Sequence, residues 1–446
     1  MSAAAWEVMR VALPLMVSAG MLSIVLFADR TLLMLYDGTS MSASMAGGNL
    51  FWVIVCVPIG TASMTGATIG QLIGNGEPHK VGRLLWQSVW LSLMTIPFFV
   101  AAAWGAESLF RLTGQPPALV PVEATYVRWL MLGGVGLVIE SALSGFFSGT
   151  ERTSVIMWVS VASGTLNVVL DLVLIFGWLG LPELGIAGAA IGSVIAFWFK
   201  GVCYAWLLAR PALEPVYRFR AGIGVDVKMM RNFLYFSIPS GLMYLTEAGA
   251  FTVIILKIGQ LGDVPLRATT MAINFNMVAF IPLVGIAIAA SVLVGRHLLQ
   301  NGPDFAVRTT IASLVLALAY SGVWAIAYLV AGDWMLSLYR LGSPDADSLS
   351  AVDQASGLLG FVALYVLLDA TQLILGAALK GAGDTWFVLA AGAVTSAVAV
   401  GTGILFDPGS GALNWWWWVV TGWIWALALV MSVRFLGGRW KTMRMV

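Results

Sequence analysis

Five acidic residues lie deep inside apolar runs of this chain: Asp29, Glu140, Asp171, Glu247 and Asp369. Their neighbours sharpen the chemistry. In TLNVVLDLVL, Asn167 and Asp171 stand four residues apart; in YVLLDATQ, Tyr365 and Asp369 repeat the spacing, with Gln372 one turn further. Residues four apart share a helix face. A carboxylate beside a carboxamide or phenol offers hard oxygen ligands, the kind that small cations take. A carboxyl held away from water can also take up and release a proton. The plain alternative for each residue is an interhelical hydrogen bond, worth about 0.6 kcal/mol on average in a membrane. Five acids and two such pairs favour a functional set. Arg30, beside Asp29, and Lys257 are the cations expected to offset it.

The elements that must position these residues are membrane helices. The chain is 60% hydrophobic and 10% charged, with a mean hydropathy of +0.91, whereas ordinary soluble domains carry about 25% charged residues. Twelve apolar runs are long enough to cross about 30 Å of hydrocarbon. They lie near 9–36, 45–73, 84–106, 122–147, 154–178, 185–208, 231–259, 268–295, 307–331, 354–379, 386–406 and 413–436. They are too long for barrel strands and lack barrel alternation. The first run is long enough to span and has no cleavage-site pattern, so it reads as a retained helix rather than a signal peptide. The fold class expected is an all-α polytopic membrane protein. A net charge of +1 gives no sign of nucleic-acid binding, and Cys56 and Cys203, both in apolar runs, imply no disulfide framework.

Lys and Arg set the orientation. With the N-terminus cytoplasmic, sixteen of them fall on the cytoplasmic side and five opposite, with Arg30 and Lys200 left within spans. Both termini are therefore expected in the cytoplasm, in the inner membrane of a bacterial type of cell. On this reading His79 and His297 lie in cytoplasmic loops, and the run Trp415-Trp416-Trp417-Trp418 forms part of an interfacial aromatic belt on the outer side.

The two halves resemble one another. ALPLMVSAGM near Pro14 recurs as SIPSGLMYLT near Pro239, a shift of 225 that also carries Asn49 to Asn274, Gly60 to Gly285 and Gly70 to Gly295. SGTERT at 148–153 matches KGAGDT at 380–385, aligning Gly149 with Gly381. Each half holds six spans, so residues 1–209 and 231–446 read as two lobes of like topology, joined by a charged cytoplasmic linker at 210–230. Duplicated bundles around a cavity are a usual plan of secondary transporters.

These fragments, in order, make the chain similar to the multidrug and toxic compound extrusion (MATE) transporters, in particular their NorM-like branch. ALP…FAD resembles the family's first helix, and IGQLIGNGEPHKVG (69–82) its loop after helix 2. LNVVLDLVLIFG…PELGIAGAAIGS (166–193) resembles helices 5 and 6, and IPSGLMYLTEAGAF (238–251) helix 7. The resemblance implies an antiporter, driven by Na+ or H+, that exports amphipathic, often cationic, organic compounds through alternating access between two six-helix lobes. It implies an N-lobe cation or proton site at Asp29, Asn167, Asp171 and Ser193, the last standing where the family often has Thr. It implies a C-lobe site at Glu247, Tyr365 and Asp369, with Na+ a candidate at either set. Arg30 departs from the pattern, which expects a small or uncharged residue there. No further cofactor is implied; the expected partners are small organic substrates and membrane lipids, and the protein is expected to act as a monomer.

Rival readings meet specific obstacles. A lipid-linked oligosaccharide flippase shares the two-lobe plan, but its anionic pyrophosphate substrate calls for cleft cations where this chain offers acids. An enzyme needs a nucleophile–base pair or metal cluster, and no HExxH or GxSxG motif is present. A channel would need a filter-like repeat, and none stands out.

Overall fold

A computed structural model of the chain describes residues 3–112, 117, 119–340, 346–409 and 412–446. Among the described residues, twelve helices or helix pairs are long and apolar enough to cross a membrane. Each coincides with one of the twelve runs read from the sequence. The helices are α1 (Ala3–Tyr36), α2 (Gly38–Gly74), α3 (Val81–Met94), α4 (Ile96–Leu112), α5 (Val120–Gly149), α6 (Thr153–Phe176) and α7 (Ile186–Leu208). Then follow α8 (Val227–Gly259), α9 (Asp263–Gln300), α10 (Pro303–Arg340), α11 (Ala346–Ala382), α12 (Thr385–Leu405) and α13 (Leu413–Leu436). Several outrun their apolar cores: the 38 residues of α9 extend about 57 Å at 1.5 Å per residue.

Local chemistry marks the boundaries. Asp37 starts α2 by accepting the Ser40 backbone N–H at 3.1 Å, which satisfies an N–H that the first turn leaves free. The third span is two helices rather than one, broken at Thr95, whose hydroxyl donates to the Ser92 carbonyl at 2.6 Å. Pro97, with no N–H to give, follows the break.

The chain divides into two compact units. One is Val17–Leu242 with Met445–Val446; the other is Met1–Met16 with Met243–Arg444. The divisions thus fall inside α1 and α8, at positions that the 225-residue shift makes nearly equivalent. The segment 210–230 is not free chain: the Trp86 and Trp90 indoles donate to the Phe219 and Ile223 carbonyls, and Gln87 binds Gly224 and the Asp226 N–H.

Packing repeats from one unit to the other. The main apolar core of the first unit is built on α2, α4, α5 and α7, and that of the second on α9, α10, α11 and α13. In the first, α5 crosses α2 so closely that a Cβ on Gly149 would lie 2.8 Å from the Gly66 carbonyl. In the second, a Cβ on Gly381 would run into the Ser291 carbonyl, and Gly66 and Ser291 are related by the same shift of 225. Close approach through small residues is how membrane helices gain contact without a hydrophobic drive between them.

The tryptophan run does not form a belt as a whole. Trp416 and Trp417 are buried in the core of the second unit, and the Trp417 indole donates to Thr269 Oγ1 at 3.2 Å; only Trp418 is exposed. Successive helix residues turn about 100°, so four in a row must face in several directions.

Candidate cation site

In the Val17–Leu242 unit, α1, α6 and α7 bring the four N-terminal candidates together. Asp29 comes from α1, Asn167 and Asp171 from one face of α6, and Ser193 from α7; all are buried. The Asn167 carboxamide, oriented to satisfy both neighbours, donates to Asp29 Oδ1 at 3.2 Å and accepts the Ser193 backbone N–H at 3.1 Å. Ser193 therefore contributes its main chain to the cluster. Asp171 lies within hydrogen-bonding range of Asp29, carboxyl to carboxyl, and neither of its oxygens meets an N–H or hydroxyl donor. Two carboxylates at such range, away from water, repel strongly. A proton on one, or a small cation between them, removes the repulsion.

Two contributors were missed from sequence. Gly192 makes room for Asp171: a Cβ there would lie 2.6 Å from Asp171 Oδ1. Tyr126 of α5 is buried within electrostatic range of both Asp29 and Asp171. Neither residue carried visible chemistry in the sequence, because a glycine or a tyrosine in an apolar run reads as packing. Arg30 makes no hydrogen bond or ion pair among the described residues, but its charge lies within electrostatic range of Asp29.

One of the five acids leaves the set. Glu140 Oε1 on α5 lies 3.7 Å from Lys200 Nζ on α7; the lysine, set aside as lying within a span, is its counter-ion. Lys200 therefore joins Arg30, which acts on Asp29 at a distance, among the cations that offset the acids.

The C-terminal candidates sit in the other unit and are less tightly joined. Tyr365 and Asp369 are buried one turn apart on α11, and Asp369 Oδ1 accepts from Gln372 Nε2 at 3.0 Å. Glu247, half-buried on α8, lies within electrostatic range of Asp369 and of Lys380. Lys380 Nζ also sits 5.3 Å above the Tyr244 ring, a contact with no signal in the sequence. Tyr365 hydrogen-bonds neither acid; its phenol lies within range of Asp369 and Tyr328.

The histidines do not share a setting. His79 lies in the short turn Pro78–Lys80, as a loop residue. His297, expected in a loop, is buried inside α9, with Nε2 3.2 Å from Glu7 Oε2 and Nδ1 2.9 Å from Asn301 Oδ1. Among the described residues no three His, Cys, Asp or Glu side chains are grouped to hold a metal ion.

Comparison with known proteins bears on the family and the fold. The MatE family model matches twice, at residues 14–173 and 239–407, its two copies offset by the shift that relates the halves. The multidrug resistance protein NorM of Burkholderia vietnamiensis is 30% identical over 91% of this chain and 88% of its own length. The probable multidrug resistance protein NorM of Pseudomonas syringae pv. tomato is 26% identical, covering 99% of this chain and 96% of that one. Among solved structures, a MOP superfamily transporter from Pyrococcus furiosus superposes with a TM-score of 0.89 at 18% identity, over 99% of this chain and 98% of that one, which shows a common fold. The duplicated match and the near-complete coverage leave one conclusion: the chain belongs to the MATE family of membrane transporters, in its NorM-like branch.

Proposed function

We propose that this protein is a multidrug exporter that exchanges Na+ or H+ for amphipathic, often cationic, organic compounds by alternating access. The carrying observation is the cluster of Asp29, Asn167 and Asp171: two buried carboxyls, one carboxamide, and two Asp171 oxygens without a donor. A coupling ion that binds there competes with a cationic substrate for the same negative charge, so loading one releases the other. One charge moving down 100 mV supplies ~2.3 kcal/mol, which bounds the electrical drive per ion. Glu247 and Asp369 form a second candidate site, with Tyr365 as a phenol ligand. The names of the NorM relatives support a broad range of substrates, which suits apolar walls with few fixed polar contacts. The distribution of Lys and Arg supports both termini in the cytoplasm, and the bacterial NorM relatives support a place in the inner membrane, where the protein acts as a monomer. An anionic pyrophosphate-linked substrate would meet acids in these sites, which disfavours the flippase reading.

The test is dye efflux from proteoliposomes with a Na+ gradient and a H+ gradient imposed separately, for the wild type, Asp29→Asn and Glu247→Gln. Coupled efflux under one gradient, lost in at least one variant, is expected. Unchanged efflux in both variants would falsify the site assignment.

A further inference from the structure

A cavity of about 810 Å³ opens in the unit of Val17–Leu242 and Met445–Val446, away from the acid cluster, between the end of α2 and the starts of α3 and α8. That volume lies within the range of small-molecule pockets, roughly 300–1,000 Å³. Its wall is chemically divided. Lys228 and Arg231 stand three apart on α8 and share a ridge, while Phe233 and Phe236, also three apart, form an apolar ridge beside it. Four cationic and two carboxylate side chains line the space, but these carboxylates are already engaged. Glu77 pairs with Lys80 at 2.6 Å and Asp226 with Arg83 at 3.3 Å. Lys228 and Arg231 are exposed and have no hydrogen bond or ion pair among the described residues.

We infer that this cavity binds an anionic phospholipid from the leaflet on the side of the termini, its phosphate on Lys228 and Arg231 and its glycerol and upper acyl chains against Phe233 and Phe236. Basic pockets between membrane helices recognise acidic headgroups in this way. Tyr235, 56% exposed next to the pocket, is the amphipathic kind of side chain that settles at headgroup depth. A surplus of positive charge excludes a cationic transport substrate from the same cavity. The inference does not rest on the proposed exchange reaction, since it concerns binding alone.

Native mass spectrometry of the full-length protein, loaded with phosphatidylglycerol or phosphatidylcholine, tests it. Phosphatidylglycerol is expected to stay bound and phosphatidylcholine to leave. The variant K228Q/R231Q should lower phosphatidylglycerol occupancy roughly tenfold, while K228R/R231K should keep it. The control R439Q/K441Q, which removes two basic residues outside the cavity, should also keep it. Equal retention of both lipids, full retention by K228Q/R231Q, or equal loss in the control overturns the inference. So does displacement of the lipid by inorganic phosphate alone, which would point to a soluble anion. Because both substituted side chains are exposed, the variant is expected to fold, and unchanged thermal unfolding in detergent confirms that a loss is local.

Discussion

Asp171 Oδ1 occupies the space that a side chain at Gly192 would need, 2.6 Å from the position of an added Cβ. The relation makes Gly192 a positioning residue for an acid on a different helix. Gly192→Ala removes no charge and raises helix propensity, yet it must push the Asp171 carboxyl aside. Misplacement on that scale costs roughly tenfold or more in a positioned site. Ion-coupled efflux by Gly192→Ala should fall by that factor at normal protein levels; wild-type efflux would show that the carboxyl tolerates displacement.

Function and stability should pull apart at Asp171. Its two oxygens are buried, face the Asp29 carboxyl and meet no N–H or hydroxyl donor, a costly setting for a second charge. Asp171→Asn keeps the shape, removes the charge facing Asp29, and supplies an N–H that can donate to it. Stability is expected to rise by about 1 kcal/mol or more while ion-coupled transport is lost. Thermal unfolding in detergent and efflux on the same preparations check both signs, and a fall in the melting temperature would contradict the reading.

Glu140 should behave as a structural acid. Its side chain is 12% exposed and that of Lys200 22%, with the charges 3.7 Å apart. Glu140→Gln strands the lysine and should cost about 1–2 kcal/mol, below the full penalty of a buried pair because the contact is long and partly open. Restoring neutrality in the double variant Glu140→Gln/Lys200→Gln should recover most of that loss and leave efflux intact. Loss of coupling in the double variant would return Glu140 to the transport set.

At Asp37 the effect is one of pH. The backbone N–H groups of Thr39 and Ser40 hold its carboxyl below the usual carboxylate range. The folded form binds its proton less readily than the unfolded one, so the cap is intact above the ordinary value of about 3.9. It is lost as pH falls through the lower folded value. After correction for intrinsic rates, hydrogen exchange at the Ser40 amide should accelerate as pH drops through that range. In Asp37→Asn, which caps without titrating, the acceleration should vanish.

The spans were legible because twenty apolar residues in a row have few other uses, and the duplication was legible because its glycines are fixed by backbone contact. Gly149 and Gly381 each lie against a carbonyl on the partner helix, so both copies kept them. The acid cluster was half legible. Spacing of four placed Asn167 and Asp171 on one face, but nothing local in sequence says which helix packs opposite. For that reason Gly192, Tyr126 and the Lys200 partner of Glu140 emerged only in three dimensions. The tryptophan run misled through composition, since aromatic richness signals an interface only when the helix turns those faces outward. His297 misled through its charged neighbour Arg296, which suggested a loop where α9 in fact continues to Gln300.

The division of α1 also carries a consequence for biosynthesis. Residues 1–16 belong with a unit whose other residues begin at Met243, and Glu7 finds its partner in His297. This segment is made before the second half of the chain and must therefore wait for it before its contacts exist. An N-terminal half made alone would carry a helix end with nowhere to pack, a natural target for membrane quality control.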